Sequence, residues 1–112
     1  MPRVGTDGLA RFEAATDMQA TNGSSQSDAA MLAGDVVFVP SVGEGEGIIL
    51  DPMVPGDEFT VVNGDGSESL TIYPPVGSAF NGEAANAALV LPANSAAIFK
   101  CITAAKIAAI YS

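Results

Sequence analysis

Histidine and tryptophan are absent from this 112-residue sequence, and cysteine occurs once, as Cys101. The absence of histidine excludes a Ser-His-Asp triad, a Cys-His dyad, an imidazole ligand for zinc and an imidazole pH switch. A single cysteine also excludes a disulfide bond within the chain. Cys101 stands between Lys100 and Ile102 in an apolar run, so we expect it to be a small buried hydrophobic residue rather than a reactive thiol.

Basic residues are scarce, since four lysines and arginines stand against 13 aspartates and glutamates and leave a net charge of −9. Because nucleic acids and anionic membranes are recognised first through lysine and arginine, we predict neither a nucleic-acid partner nor a membrane partner. The N-terminal segment lacks the apolar region of a secretory signal, and no run approaches the roughly 18 apolar residues of a membrane helix. We therefore expect a soluble protein that is synthesised in the cytoplasm.

Charged side chains of both signs make up only 15% of the sequence, against about 25% in a typical globular domain. Hydrophobic residues reach 48%, although aromatic residues contribute only 6%. The length favours a single domain. Because few charges remain to cover the surface of a monomer, we predict that some apolar surface is shared with other copies or with a partner.

The sequence changes character near residue 34. Before this point the small polar stretch Thr21–Ser27 cannot fill a hydrophobic core and is typical of a loop or an arm. A short helix over Asp28–Ala33, capped by a preceding serine, is the one regular element that we expect this region to support. We assign residues 1–34 to an N-terminal arm with this short helix, and residues 35–112 to a β domain.

From Asp35 onward, short runs of β-branched and apolar residues alternate with Gly, Pro and Asn clusters, a pattern typical of β proteins. The intervals leave no room for long crossover helices. The sequence therefore predicts an all-β fold, a compact antiparallel β-sandwich or barrel of about seven strands with an extended N-terminal arm. The predicted strands are residues 36–39, 47–50, 58–62, 69–73, 87–91, 96–103 and 106–111.

Two of these strands are predicted to form a hairpin. Phe59 and Val61 alternate with polar residues in the first, and Leu70 and Ile72 do so in the second. The segment Asn63–Ser67 between them is rich in residues that tolerate positive φ, which favours a tight antiparallel turn.

The acidic residues raise the question of a metal site. Asn63, Asp65 and Ser67 stand at alternate positions, like the first ligands of a calcium-binding EF-hand loop. Glu68 occupies the place of the required glycine, and Pro74 the place of the bidentate carboxylate, so the sequence favours a plain turn. Eight of the 13 acidic residues lie between positions 35 and 68, which predicts an acidic surface at one end of the molecule.

No pattern among the carboxylates selects the pair that a glycoside hydrolase needs, and there is little aromatic surface on which a sugar ring would stack. We therefore predict that the protein is not an enzyme. The sequence names no catalytic residue, no cofactor-binding residue and no metal ligand.

The second half of the chain resembles small structural proteins of tailed bacteriophages. The resemblance rests on turn and strand residues, namely the Pro55–Asn63 segment, the Leu70–Pro75 strand with Gly77, the Asn81-Gly82 pair and the Leu89–Cys101 segment. It implies a non-enzymatic virion protein, most closely a capsid decoration (cement) protein that binds and stabilises the shell. In such proteins three copies commonly meet around a threefold axis, and an arm lies along the capsid lattice.

This resemblance implies the major capsid protein as the partner, a homotrimer as the assembly and the capsid surface of the virion as the location. The arm residues expected to contact the capsid are Arg3, Arg11 and Phe12; for the two arginines, a purely solubilising role is equally compatible with the sequence. Two alternatives stay open, a carbohydrate-binding or adhesin module of a head or tail fibre and a tail-tube or head-completion subunit.

Overall fold

The computed structural model describes residues 3–4, 10–11, 14–15, 17–22, 25–32 and 34–111. Every regular element in these residues is a β-strand, which confirms the all-β class. The strands are β1 (Arg3–Val4), β2 (Ala10–Arg11), β3 (Ala14–Ala15), β4 (Thr21–Asn22), β5 (Ala30–Met31), β6 (Val36–Val39), β7 (Glu46–Ile49), β8 (Glu58–Asn63), β9 (Leu70–Tyr73), β10 (Ala79–Phe80), β11 (Leu89–Leu91), β12 (Ser95–Thr103) and β13 (Lys106–Tyr111).

The strands form two main sheets and one small pair. The six-stranded sheet has the order β10-β13-β12-β8-β6-β3. The five-stranded sheet has the order β11-β9-β7-β4, with β5 also paired to β7. Strands β1 and β2 pair with each other in a separate two-stranded ladder.

The seven strands of three or more residues, β6 to β9 and β11 to β13, lie where the sequence predicts strands. The prediction of a purely antiparallel fold is wrong, because both sheets are mixed and contain further short strands. Strand β6 runs parallel to β8, and β7 runs parallel to β9. Parallel neighbours need a crossover connection, which is usually a helix. Here consecutive strands alternate between the two sheets, so a strand of the opposite sheet makes each crossover.

The predicted hairpin between β8 and β9 is also wrong. Strand β8 pairs with β6 and β12, whereas β9 pairs with β7 and β11 in the other sheet. The intervening residues therefore cross from one sheet to the other. The physical reason lies in Asn63, whose buried side-chain amide donates to the carbonyl oxygens of Glu68, Leu91 and Pro92 at 2.9, 3.2 and 3.2 Å. These bonds connect the end of β8 to the end of β11 instead of closing a tight turn.

One hydrophobic core lies between the two sheets. The alternation predicted for β8 and β9 is confirmed, because Phe59 and Val61 of one sheet and Leu70 and Ile72 of the other are buried. Each such side chain contributes about 1.5–3 kcal/mol when it is fully removed from water. Phe99 of β12 packs against Phe80, with ring centroids 5.2 Å apart.

The described residues among 14–32, namely 14–15, 17–22 and 25–32, contribute strands and core side chains to the two-sheet fold. Strand β3 extends the six-stranded sheet beside β6, and β4 and β5 both pair with β7. The side chains of Met18, Ala20 and Leu32 lie in the core. Part of the region that the sequence assigns to the N-terminal arm therefore packs into the core.

The short helix expected over Asp28–Ala33 is not formed by its described residues 28–32, which continue from a turn into strand β5. The N–H of Leu32 donates to the carbonyl of Ile49 at 2.8 Å. Pairing with β7 therefore outweighs the weak local preference for a helix. Ala33 itself lies outside the described residues.

Candidate interaction surfaces

The outer surface of the six-stranded sheet carries a mainly apolar region. Inward side chains of β12 such as Ala97 and Phe99 alternate with outward ones, and the same alternation continues on β6, β8 and β13. We call this region the sheet face. It consists of Val36, Phe38, Thr60, Val62, Ala96, Ile98 and Ile110.

The strand register aligns part of the sheet face in one row. Ile110 of β13 stands opposite Ile98 of β12, and Ile98 stands opposite Thr60 of β8. Thr60 in turn stands opposite Val36 of β6. Four strands at about 4.8 Å spacing place these side chains across about 14 Å. Three of the four are large aliphatic residues that remain exposed, at 59% for Ile110, 37% for Ile98 and 38% for Val36.

A second row runs through Ala96, Val62 and Phe38, which are also in register. The Phe38 ring lies directly over Gly64, where a Cβ atom would collide with it. A side chain at position 64 would therefore displace the Phe38 ring, which is 40% exposed. The N–H of Gly64 donates to the carbonyl of Val39 at 2.8 Å, which fixes the loop under the ring.

The row of outward side chains that borders the sheet face contains one negative and one positive residue. Glu58 stands opposite Lys100, and their side chains form an ion pair at 3.5 Å. Both side chains are substantially exposed, so this pair contributes at most about 1 kcal/mol to stability. Its main effect is that the border of the apolar region adds no net charge.

Sequence reasoning did not identify the sheet face. Its signal is present in β6, where Val36-Val37-Phe38-Val39 has no polar residue on either side of the strand. A strand with one solvated face is expected to alternate, and a uniformly apolar run is typical of a strand covered on both faces. In the part of the chain that the structure describes, the inward residues of β6, Val37 and Val39, are buried, and the outward residues Val36 and Phe38 are exposed.

A second exposed apolar region lies at the end of the molecule where β7, β9 and β12 finish. We call it the apolar end, and it consists of Met31, Val54, Val76 and Ile102. Their side chains are 52%, 60%, 79% and 59% exposed. Met31, Val76 and Ala104 also line a groove of about 290 Å³, together with Pro52 and Met53.

Hydrogen bonds bring the segments of the apolar end together. The N–H of Leu50 donates to the carbonyl of Tyr73 at 3.0 Å, so the chains leaving β7 and β9 emerge side by side. The N–H of Gly56 donates to the carbonyl of Cys101 at 3.0 Å, and the Ser78 hydroxyl donates to the carbonyl of Ala104 at 2.8 Å. The loops after β7, β9 and β12 are therefore connected.

Two rigid turns present the valines of the apolar end. In Val54–Asp57 the N–H of Asp57 donates to the carbonyl of Val54 at 3.0 Å, and Gly56 has φ +94°. In Pro75–Ser78 the N–H of Ser78 donates to the carbonyl of Pro75 at 2.9 Å, and Gly77 has φ +88°. Positive φ at the third residue is the pattern of a type II turn, which glycine adopts without strain.

The opposite end of the molecule is acidic. The loops after β6 and β8 and before β7 and β9 meet there, because β6 is parallel to β8 and β7 is parallel to β9. These loops and the first residue of β7 carry Glu44, Glu46, Asp65 and Glu68, which we call the acidic end. Only half of the predicted acidic surface lies here, because the other four acids of the same sequence interval lie at the opposite end, where β6 and β8 begin and β7 finishes: Asp35, Asp51, Asp57 and Glu58.

The side-chain oxygens of the acidic end do not converge on one point where a metal ion could bind, because two of these side chains accept hydrogen bonds from the backbone instead. The carboxylate of Asp65 accepts hydrogen bonds from the backbone N–H groups of Val42, Ser67 and Glu68 at 2.8 to 2.9 Å. The Asn63 side-chain oxygen accepts from the Asp65 N–H at 3.0 Å. Among the described residues, no group of three or more Cys, Asp or Glu side chains forms a metal-binding cluster.

The three backbone donors stabilise the ionised form of Asp65. The hydrogen bond from Val42 has the largest effect, followed by those from Glu68 and Ser67, and together they lower the pKa of Asp65 from 3.8 to about 2. This carboxylate therefore works as a structural acceptor that connects the loop after β6 to the loop after β8.

Cys101 is buried, as the sequence predicts, and its thiol donates to the carbonyl of Thr103 at 3.0 Å. Burial raises the pKa of this thiol, and the nearby Asp57 carboxylate raises it further. A buried thiol with a raised pKa is a poor nucleophile.

A small pocket of about 290 Å³ lies between β10, β11 and the end of β13. Tyr111, Asn81 and Glu83 line it, and the Tyr111 side chain is 52% exposed. Asn81 is held in place because its side-chain oxygen accepts from the Ala109 N–H and its amide donates to the Ala109 carbonyl, each at 2.9 Å.

The residues predicted to contact a capsid are only partly described. The backbones of Arg3 and Arg11 stand opposite each other in the β1-β2 ladder, and Phe12 lies outside the described residues. Their role stays a prediction.

No family model matches this chain, and no curated protein or solved structure matches it either. In the part of the chain that the structure describes, there is no helix with the length and hydropathy to cross a membrane.

Proposed function

We propose that this protein is a non-enzymatic structural protein of a tailed-phage virion, and specifically a capsid decoration protein that binds the assembled shell. The observation that carries the proposal is the sheet face, an apolar surface aligned across four strands and left exposed in the single chain. Exposed apolar regions of this kind are typical of protein contact sites. The resemblance of residues 54–112 to phage structural proteins supports the same assignment.

The sheet face is suited to contact between copies of the chain. Its bordering charges, Glu58 and Lys100, cancel, whereas the whole chain carries a net charge of −9. Copies that meet through this surface therefore avoid most of the repulsion between acidic residues. We propose a homotrimer as the assembled form, located on the capsid surface of the virion.

The polar groups favour a structural role over catalysis. Asp65 and Asn63 bond to backbone groups of neighbouring loops, and the thiol of Cys101 is buried. These side chains hold the fold together at the places where sequence reasoning considers a metal site or a reactive thiol.

The mechanism that follows is stabilisation by binding. A protein that binds the assembled shell but not its dispersed subunits shifts the equilibrium towards the shell. Linking three copies raises the effective concentration of each contact, so weak individual contacts add to a strong one.

The test is a binding assay with empty shells purified from the phage that encodes this chain. We expect the added protein to co-sediment with the shells, to saturate at a fixed number of copies per capsomer and to raise the shell's melting temperature. Failure to bind shells, or turnover of a substrate by the purified protein, would contradict the proposal.

The pocket beside Tyr111 favours one other function, that of a carbohydrate-binding or adhesin module. An exposed aromatic ring next to an amide and a carboxylate is a usual arrangement for a sugar. Binding of the purified chain to a glycan array, abolished by Tyr111→Ala, would support this alternative. Saturable binding to shells that Tyr111→Ala leaves unchanged would support the decoration protein.

A further inference from the structure

We infer that the side chain of Asn81 caps the outer edge of β13 and prevents a strand of a second copy of this chain from pairing there. The inference concerns how one edge of the six-stranded sheet is closed, and it does not depend on the proposed function. It also gives a role to the Asn81-Gly82 pair, to which the proposed function assigns none.

Strand β13 is longer than the strand that covers its outer edge. β10 has two residues and pairs only with Lys106 and Ile107 of the six-residue β13. The N–H of Asn81 donates to the carbonyl of Ile107 at 3.1 Å, so the backbone of Ile107 faces β10. Because the backbone groups of alternate strand residues face the same side, those of Ala109 and Tyr111 belong to the same edge. Beyond Asn81 this edge borders a pocket, which Tyr111 lines.

The Asn81 side chain covers the part of the edge that β10 does not reach. Its oxygen accepts a hydrogen bond from the Ala109 N–H, and its amide donates to the Ala109 carbonyl, both at 2.9 Å. A carboxamide carries a donor and an acceptor, as a peptide group does. It therefore satisfies Ala109 as a residue of a neighbouring strand would, and an incoming strand must first break both bonds.

A tight turn holds Asn81 in this position. The N–H of Glu83 donates to the carbonyl of Phe80 at 2.7 Å, and φ is +45° at Asn81 and +83° at Gly82. Positive φ at both central residues is the pattern of a type I′ turn, for which Asn-Gly is the preferred sequence. The pair therefore ends β10 and directs the amide back to β13.

The capped strand has the composition of a segment that self-associates. Ile107-Ala108-Ala109-Ile110-Tyr111 contains no charge, no proline and no glycine. Apolar segments of this length and kind aggregate when their edge is open. Lys106 precedes the segment, and lysine is a common protection at sheet edges. Within the segment, Asn81 covers the middle residue Ala109, so the cap lies where a second copy of β13 would otherwise add as a strand.

Replacing Asn81 with glycine tests the cap without straining the turn. Glycine adopts positive φ freely, so Asn81→Gly removes the amide and retains the backbone conformation. Asn94→Gly is the matched control, because Asn94 is exposed and has φ +58° on the loop before β12. Circular dichroism and thermal melting establish that each variant is folded. Size-exclusion chromatography with light scattering over a series of concentrations measures the mean molar mass.

We expect the mean molar mass of Asn81→Gly to rise with concentration to at least double that of the parent protein, because the open edges of two copies pair. Asn94→Gly should keep the mass of the parent protein. If folded Asn81→Gly keeps the parent mass over the whole series, the inference is wrong. That result leaves the proposed function standing, because binding to shells tests it separately.

The double variant Asn81→Gly/Ala108→Glu distinguishes edge pairing from a failure to fold. Ala108 lies on the outer face of β13 opposite Lys100, so the new carboxylate adds a charge to the segment and leaves the edge uncapped. A charge in such a segment suppresses strand addition. We expect the double variant to have the circular dichroism spectrum and the mass of the parent protein. If it still associates, or unfolds, the inference is overturned, because the loss of Asn81 then acts on the fold itself.

Discussion

At the scale of single residues, Asn63 shows how one buried side chain selects the route of the chain. Its side-chain amide donates hydrogen bonds to the carbonyl oxygens of Glu68, Leu91 and Pro92, and the residue is fully buried. The amide side chain supplies both the donor for these carbonyls and the acceptor that receives the Asp65 N–H. Asn63, which is followed by Gly64, therefore lies where the chain leaves β8 and crosses to the other sheet.

Replacing Asn63 with Asp removes the donor and places a carboxylate against three carbonyl oxygens. We expect the free energy of unfolding to fall by about 3–5 kcal/mol, a large part of the stability of a domain of this size. Urea unfolding monitored by circular dichroism measures the change. Asn94→Asp is the control, because Asn94 is exposed on a neighbouring loop, and it should cost less than about 1 kcal/mol. Equal effects of the two substitutions would contradict the role given to Asn63.

Asp65 gives a pH dependence whose sign follows from its lowered pKa. Its folded-state pKa is about 2 and its ordinary value is 3.8, so the carboxylate stabilises the fold fully above about pH 4. That contribution is lost as the pH falls from about 4 towards 2. We expect Asp65→Asn to be less stable than the parent protein at pH 6 and to show a smaller loss of stability between pH 4 and pH 2.

Thermal melting at a series of pH values measures this difference. The matched control is Glu44→Gln, because Glu44 is an exposed acid on the loop that Asp65 holds. A parent-like pH profile for Asp65→Asn would show that the three backbone hydrogen bonds to Asp65 do not stabilise the fold.

At the scale of elements, the short strands β3, β4 and β5 belong to the two main sheets. They pair with β6 and β7 and place Met18 and Leu32 in the core. Deleting residues 1–26 therefore removes core side chains and does not isolate an arm. A truncated chain that begins at Ala14 keeps β3, β4 and β5 and removes the segment that contains Arg3 and Arg11.

The substitution Met18→Ala tests whether this segment is integral to the fold. We expect a loss of about 2–4 kcal/mol, since the change removes a buried side chain and leaves a cavity. Chemical unfolding measures it, with Gln19→Ala as the control because Gln19 is exposed. A loss below about 0.5 kcal/mol for Met18→Ala would mean that residues 17–22 contribute little to the core.

The alternation of successive strands between the two sheets explains why parallel pairs occur without helices. Strand β7 connects β6 to β8 across the core, and β8 connects β7 to β9 in the same way. Each connection between β6 and β9 is six to eight residues long, because it needs only to cross from one sheet to the other. Sequence spacing therefore indicates the absence of helices correctly but says nothing about strand direction.

At the scale of the whole molecule, the sheet face and the acidic end occupy different parts of the surface. We propose the sheet face for contact between copies. The carboxylates of the acidic end stay hydrated and contribute to the net negative charge.

Ile110→Asp tests the sheet face. We expect it to convert the proposed oligomer to a monomer in light scattering coupled to size-exclusion chromatography, because the carboxylate would be buried in the apolar row. Val90→Asp is the matched control, because Val90 of β11 is 57% exposed, nearly as much as Ile110 at 59%, but lies outside the sheet face. If the parent protein is monomeric at all concentrations, or if Ile110→Asp leaves an oligomer unchanged, the sheet face does not mediate contact between copies.

The sequence by itself determined the all-β class, the positions of the seven longer strands, the inward face of β8 and β9 and the burial of Cys101. These features follow from local composition and from the two-residue alternation of a strand, which act within a few residues. Only the tertiary structure decided which sheet each strand joins, the parallel pairs and the pairing of β3, β4 and β5 with the longer strands. It also brought Ile110, Ile98, Thr60 and Val36 into one row. Such choices depend on contacts between residues far apart in the chain, for example the bond from the Val42 N–H to Asp65, and no local pattern encodes them.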